Sequence, residues 1–175
     1  MITIITDKAA NGLGQNMCGI ISKKRQDIKH FPLDDMKIGP CYACRGCEEK
    51  TYGRCVVRDD ADLILPFLSR SQIIIVFTTI VFGGYSFEVK RALDKIGLVV
   101  DRHYYYHNGE LVKGKPSGVK YYVIGIHDGV DMEEVKVFKQ LVTETLKITA
   151  WEGGSIIMPY DADNYNSLIQ EVAEL

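Results

Sequence analysis

Four of the five cysteines in this chain lie close together, at positions 41, 44, 47 and 55. Two residues separate Cys41 from Cys44 and Cys44 from Cys47, and seven residues separate Cys47 from Cys55. Thiolates with this spacing can reach one metal centre from a single turn of chain, and a later cysteine can complete the coordination. Four sulfur ligands suit zinc or an iron–sulfur cluster better than calcium or magnesium. The three closely spaced cysteines favour iron–sulfur, because zinc sites usually consist of two separated pairs.

Two interpretations without a metal are also open for these cysteines. They are reduced structural thiols in a loop, or they form a redox-active disulfide, which is a common use of Cys-x-x-Cys pairs. The fifth cysteine, Cys18, falls on a predicted helix, where we expect a buried and unreactive thiol.

Length and composition indicate a single domain over 1–175, large enough to bury a hydrophobic core. The net charge of -2 gives no reason to expect nucleic acid or an anionic membrane as a partner. The first residues lack the features of a signal peptide, and no apolar run is long enough to cross a bilayer. We therefore predict a cytoplasmic protein, in which cysteines stay reduced and available to metals.

Apolar runs predict five short strands. The clearest is Gln-Ile-Ile-Ile-Val-Phe at 72–77, because an unbroken apolar run suits a central strand covered on both faces. The others lie at 2–6, 27–33, 119–126 and 154–158.

Helical patterns alternate with these strands. The predicted starts are Leu13, Asp59 or Asp60, Ser86, Asp131 and Asp163. We expect the first helix to cover 13–24, the second to be short or kinked because it contains Pro66, and the third to end at Gly97. Such alternation makes an α/β fold with a five-stranded parallel sheet, in the order 2-1-3-4-5, and helices on both faces.

One segment departs from this alternation, at 98–114. Asn108-Gly109 lies between two strand-like runs, which predicts a β-hairpin outside the sheet. The hairpin carries Tyr104, Tyr105 and Tyr106, which either cover a ligand or pack the hairpin itself.

The predicted strand order places a ligand at the carboxyl ends of strands 1 and 3. The loops there are 7–15 and 78–85, and the first precedes a helix whose N–H groups favour phosphate. The cysteine-rich loop at 40–60 follows strand 2 and leaves the sheet at the same edge. The sequence therefore predicts that a ligand and a metal centre share one end of the sheet.

The segment 40–96 carries a family resemblance. Its features are the Cys-x-x-Cys-x-x-Cys run, Gly53-x-Cys55, Asp59-Asp60, and Phe-Gly-Gly-Tyr-Ser at 82–86 followed by a helix. With these the chain resembles the flavodoxin-like NAD(P)H-dependent FMN reductases, including their iron–sulfur flavoprotein branch. A fainter likeness through 108–109 and the strand at 119–126 extends it over most of the chain.

The resemblance implies a flavodoxin-like three-layer sandwich, bound FMN and a redox function. Electrons would come from NAD(P)H or from another small-molecule or protein carrier, and the chain would form a homodimer. The ring of FMN would lie against Thr78, Thr79, Ile80, Val81, Phe82 and Gly83, and its phosphate near Lys8, Asn11, Gly12, Gly14 and Gln15. The four clustered cysteines would hold a [4Fe–4S] cluster. No side-chain acid or base is demanded, so no catalytic residue is assigned.

Two positions depart from the family pattern. The phosphate loop of the family usually reads Gly-Ser-Pro-Arg, whereas this chain has Thr-Asp-Lys-Ala at 6–9, with an acid and without the hydroxyl donors. Thr79 also replaces a proline in the ring-binding loop. Two other functions therefore stay open: a flavodoxin-like fold that has lost FMN and acts as a binding or scaffold protein, and a protein in which the cysteines hold structural zinc.

Overall fold

A computed structural model describes residues 1–98, 103–114, 117–129 and 131–160. Its strands are β1 (Ile2–Thr6), β2 (Ile28–Pro32), β3 (Ile73–Thr79), β4 (Tyr104–His107), β5 (Glu110–Lys113), β6 (Lys120–His127) and β7 (Glu152–Pro159). Its helices are α1 (Asn11–Ile21), α2 (Gly46–Glu49), α3 (Ala61–Leu68), α4 (Phe87–Leu93) and α5 (Met132–Thr149), with a 3-10 turn at Ile96–Leu98. The helix predicted from Asp163 lies outside the described residues.

Five parallel strands form the central sheet, in the order β2-β1-β3-β6-β7. Counted among the sheet strands alone, this is the predicted order 2-1-3-4-5. β3 lies in the middle, and its first six residues are all buried. Its apolar run therefore fits a strand that is covered on both faces.

Helices cover both faces of the sheet. On one face, Met17 and Ile21 of α1 pack with Ile4 and Ile75. On the other face, α3, α4 and α5 contribute apolar side chains to a second core. Burying each large apolar side chain stabilises the fold by about 1.5–3 kcal/mol. The predicted α/β three-layer architecture is thus confirmed.

The structure corrects two boundaries at the sheet edge. α1 begins at Asn11 rather than Leu13 and ends at Ile21, so Asn11, Gly12, Gly14 and Gln15 are helical rather than in a loop. The N–H groups of residues 13 and 14 already bond to the carbonyl oxygen of Ala10, which starts the helix early. β3 continues through Thr78 and Thr79, because both residues pair with β6.

The third predicted helix also differs in detail. Ser86 precedes α4, but its side chain does not cap the helix. The N–H of Ser86 donates to Oγ1 of Thr78 at 2.9 Å, and Oγ1 of Thr78 lies 3.3 Å from Oγ of Ser86. The hydroxyl is therefore engaged with the strand. α4 ends at Leu93 and not at the predicted Gly97, which lies inside the separate 3-10 turn at Ile96–Leu98.

Other local predictions are confirmed. α3 is short, with eight residues and Pro66 inside it. The Asp131 side chain caps α5 by accepting a hydrogen bond from the N–H of Glu133 at 2.9 Å. β4 and β5 form an antiparallel hairpin apart from the main sheet. Asn108 and Gly109 have φ angles of 50° and 83°, as a two-residue hairpin turn requires.

Candidate functional site

Asp7 joins the ends of β1 and β3 at the carboxyl edge of the sheet. It is only 2% exposed. Its Oδ1 accepts a hydrogen bond from the N–H of Ala10 at 3.0 Å, and its Oδ2 accepts one from the N–H of Thr79 at 2.6 Å. The carboxylate therefore occupies two backbone N–H groups, and it links the start of α1 to the end of β3.

The residues that the sequence analysis expected near a phosphate differ in their exposure to solvent. Lys8, Gly12 and Gln15 are exposed, whereas Gly14 is buried. A Cβ at Gly14 would lie 2.3 Å from Cγ2 of Thr6 and 2.6 Å from Nε2 of His30. Gly14 therefore permits the close approach of α1 to the sheet. The glycines that the sequence assigned to one loop thus have different structural settings.

Asn11 carries the one buried side-chain polar atom without a hydrogen-bond partner among the described residues. This atom is Oδ1, at the N-terminal end of α1. A buried acceptor without a donor costs about 1–3 kcal/mol. A ligand hydroxyl, such as those of a ribityl chain, would satisfy it.

The segment 78–83, which the sequence analysis expected to bind the flavin ring, runs into a tight turn at Val81–Gly84. The N–H of Val81 donates to the oxygen of Gly84 at 3.0 Å, and the N–H of Gly84 donates back at 2.9 Å. Phe82 has a φ angle of 50° and is 91% exposed. A Cβ at Gly83 would lie 2.8 Å from Cγ1 of Val137, so the turn rests against α5. The side chain of Phe82 therefore lies in solvent. Its backbone has a left-handed conformation that residues other than glycine rarely adopt.

The other residues of this segment divide into inner and outer positions. The side chains of Thr78 and Ile80 are buried, and the N–H of Ile80 donates to the oxygen of Ile126 at 2.8 Å. Thr79 is half-buried, and Val81 is exposed beside Phe82. Only the outer positions and the backbone are accessible to a planar ligand.

All four clustered cysteines line one cavity of about 160 Å³. Cys41 and Cys44 are exposed, while Cys47 and Cys55 are half-buried. Burial raises the pKa of the Cys47 thiol, and the nearby Glu48, Cys41 and Cys55 raise it further. In this structure no three Cys, His, Asp or Glu side chains of the described residues converge closely enough to hold a metal ion. The fold thus gathers the thiols around one space without placing them at coordination distance.

The backbone of the cysteine loop contains two residues in the left-handed region. Ala43 and Arg45 have φ angles of 50° and 56°, on either side of Cys44. Left-handed residues in such turns help direct backbone N–H groups to one side, as at many iron–sulfur sites. This backbone conformation is unusual for residues with a Cβ. Both residues lie between the first and the third of the closely spaced cysteines.

Asp59 closes the cysteine loop. It accepts hydrogen bonds from the N–H groups of Gly39 at 2.9 Å and Ala61 at 3.0 Å, and it forms an ion pair with Lys95. Burial tends to raise the pKa of Asp59, but these three donors outweigh it and lower the pKa below the ordinary 3.8. Lys95 is only 2% exposed, and it also lines the cysteine cavity. The sequence offered no signal for a buried lysine.

The hairpin is tied to the same loop. Nζ of Lys113 on β5 lies 2.6 Å from Oε1 of Glu48 on α2, and Lys113 lines the cysteine cavity. Hydrogen bonds from Lys113 and Arg45 hold the pKa of Glu48 below its ordinary value. The hairpin therefore completes one wall of the cavity.

Comparisons with known proteins were made by sequence and by structure. No family model matches the chain. Over 75 residues it is 31% identical to an iron–sulfur flavoprotein of Methanocaldococcus jannaschii, a match that covers 43% of this chain and 38% of that protein. The matched stretch thus spans less than half the length of this relative.

Solved structures match over nearly the whole chain. An FMN-dependent NADH-azoreductase of Bacillus anthracis, in complex with FMN, aligns with a TM-score of 0.70 at 12% identity, over 99% of this chain and 97% of the other. A WrbA-like flavodoxin of Agrobacterium tumefaciens aligns with a TM-score of 0.54 at 10% identity, over 99% and 92%. The chain has the flavodoxin-like fold.

The comparisons confirm the resemblance drawn from the sequence motifs. At these identities the structural likeness concerns the flavodoxin-like fold alone. Among the described residues, no helix has the length and apolar character needed to cross a membrane. What the flavodoxin-like fold does in this chain therefore depends on its own edge loops and cysteines.

Proposed function

We propose that this protein is an FMN-dependent redox protein that carries a [4Fe–4S] cluster on Cys41, Cys44, Cys47 and Cys55. The observation that carries the proposal is the cavity lined by these four thiols, on a loop at the carboxyl edge of a flavodoxin-like sheet. FMN would supply hydride and single-electron chemistry when bound. The name of the matched protein of Methanocaldococcus jannaschii, an iron–sulfur flavoprotein, supports the same combination.

The sheet edge fits a flavin with altered phosphate recognition. Oδ1 of Asn11 needs a donor that a ribityl hydroxyl provides, and Phe82 and Thr79 border the place of the ring. The carboxylate of Asp7 already engages two N–H groups, so Lys8 and the N-terminus of α1 remain to bind phosphate. We therefore expect the phosphate to contribute less to FMN affinity than charge-assisted contacts usually do.

The cysteine cavity fits a cluster by its donor set. Four thiols are available without disulfides, and the left-handed residues Ala43 and Arg45 favour N–H groups that face sulfur. The cations of Lys95 and Lys113 also line the cavity, each held by a carboxylate. These cations offset part of the negative charge of a thiolate-bound cluster.

The chain's own part is to bind and orient these groups. We propose a small-molecule or protein electron donor, such as NAD(P)H, a cytoplasmic location and a homodimer, as the family resemblance implies. The exposed ring of Phe82 would shield one side of the flavin from water. No acid or base is required from the chain.

FMN titration of protein purified without oxygen tests the flavin part. We expect saturable binding at one FMN per chain, followed by flavin absorbance after desalting. Asn11→Ala should weaken the affinity about tenfold, because a hydrogen bond of 1 kcal/mol or more is lost. Asn16→Ala, an exposed neighbour on α1, should not change it. A chain that takes up no FMN would leave the flavodoxin-like fold with a binding or scaffold role instead.

A further inference from the structure

A second groove runs along the outer side of the cysteine loop. One part, of about 310 Å³, lies between Gly53 and the helix α3, and the other, of about 560 Å³, lies along 51–58. Arg54 and Arg58 line both parts, so the two lie side by side. We call this the arginine groove, lined by Tyr52, Arg54, Arg58, Leu65, Pro66 and Leu98 among others.

The positive charge of the arginine groove is only partly neutralised. Nε of Arg58 lies 2.7 Å from Oδ2 of Asp62. Among the described residues, no carboxylate lies within ion-pairing distance of Arg54. The hydroxyl of Thr51 donates to the carbonyl of Arg54, and that of Ser69 to the carbonyl of Pro66. The two guanidinium groups are therefore the charged donors that the groove offers, and guanidinium binds phosphate with two parallel hydrogen bonds.

The remaining lining is apolar or aromatic. Leu65, Pro66 and Leu98 line one part, and the ring of Tyr52 is 64% exposed along the other. An aromatic face and apolar side chains suit a planar heterocycle, and stacking on an aromatic side chain contributes binding for any base. Charged donors, an exposed aromatic ring and apolar side chains thus occur together in the groove.

From this set we infer that the arginine groove binds a nucleotide. Its phosphates would contact Arg54 and Arg58, and its base would stack on Tyr52 or the apolar lining. Cys55 and Val56 line both the arginine groove and the cysteine cavity, so the ligand would be next to the wall of the proposed cluster site. The inference needs neither FMN nor the cluster, and it can fail while the proposed function stands.

Isothermal titration calorimetry of the protein with ADP tests this inference. We expect saturable binding that weakens about tenfold or more in Arg54→Gln and in Arg58→Gln, because each loses a charged hydrogen bond. Tyr52→Ala should weaken it by about threefold to tenfold through lost stacking. Arg70→Gln is the matched control, since Arg70 is exposed near the end of α3 and does not line the groove. Circular dichroism of each variant establishes that it is folded.

Two further titrations locate the ligand. Saturating FMN should leave ADP binding unchanged, whereas displacement by FMN would put ADP in the flavin site and overturn the inference. Pyrophosphate should bind at least about tenfold more weakly than ADP, because it lacks the base. Equal affinity for pyrophosphate, an equal effect of Arg70→Gln, or no binding of ADP would each contradict a nucleotide site.

Discussion

The sheet edge and the cysteine loop satisfy their polar groups in different ways. At the sheet edge, Asp7 accepts hydrogen bonds from the N–H groups of Ala10 and Thr79, and the N–H of Ser86 donates to Oγ1 of Thr78. In the cysteine loop, the contacts lie at the margins, through Asp59 and Glu48, while the thiols line a cavity. The comparison teaches that hydrogen bonds of the chain itself hold the sheet edge together, whereas the cysteine loop is held at its margins and its sulfur atoms stay available for a ligand.

Asp59→Asn should have the largest effect on stability. The change leaves the buried ammonium of Lys95 without its partner, and breaking a buried ion pair costs about 3–5 kcal/mol. Urea unfolding at neutral pH measures the free energy of unfolding. Asp35→Asn, an exposed acid in the preceding loop, should change it by less than about 0.5 kcal/mol.

The same variant has a pH signature. Because the folded-state pKa of Asp59 lies below the ordinary 3.8, its stabilisation is fully present above that pH. It is lost as the pH falls through the folded-state pKa. The stability difference between wild type and Asp59→Asn should therefore be constant above pH 3.8 and shrink below it. A difference that grows towards acid would contradict the assigned role.

Asp7→Ala tests whether the sheet edge is stabilised from within. Two buried N–H groups, of Ala10 and Thr79, would lose their acceptor, at a cost of about 2–4 kcal/mol. Chemical denaturation with Asp128→Ala as the control measures this cost, because Asp128 is an exposed acid at the same edge of the sheet. Equal stability of the two variants would mean that Asp7 does not link the loops.

Phe82→Gly separates stability from ligand binding. Glycine relieves the left-handed strain at a φ of 50°, so we expect the free energy of unfolding to rise by about 0.5–1 kcal/mol. FMN affinity should fall, because the exposed ring is lost. Asn108→Gly, at the same φ in the hairpin turn, should change neither by much, since asparagine tolerates this conformation. Unchanged FMN affinity in Phe82→Gly would remove Phe82 from the flavin site.

Glu48→Gln should have the smallest effect. The pair with Lys113 is partly exposed, so its loss should cost about 0.5 kcal/mol in 0.1 M salt and less in 1 M salt. Thermal unfolding at the two salt concentrations measures the change. A salt-independent loss would show that Glu48 acts through packing rather than through charge.

Much of the fold followed from the sequence because its signals are local. Unbroken apolar runs predicted the strands, and Asn108-Gly109 predicted the hairpin. The missing parts depend on distant partners. Asp59 was expected only near a helix start, yet its ion pair lies 36 residues away, at Lys95. Likewise β3 extends to Thr79 through pairing with β6 and through Asp7, which is 72 residues away. Such pairings leave no periodic pattern.

In the candidate sites, too, local sequence patterns were predictable and the three-dimensional setting of each residue was not. Spacing alone grouped the four cysteines, and the structure places them around one cavity. The phosphate-loop residues were grouped by sequence proximity, but a helix turns Gly14 inward and leaves Gly12 and Gln15 exposed. Residues three apart on a helix share a face, so Gly12 and Gln15 lie together on the exposed side and Gly14 lies on the buried side.

Iron and acid-labile sulfide per chain, measured on protein purified without oxygen, test the central claim most directly. We predict about four iron and four sulfide per chain in the wild type, as a [4Fe–4S] cluster contains. Cys47→Ser should lose most of both, whereas Cys18→Ser, which changes the half-buried thiol on α1, should retain them. Wild-type protein without iron and sulfide, or one that contains zinc instead, would contradict the cluster and leave the four cysteines with a structural role.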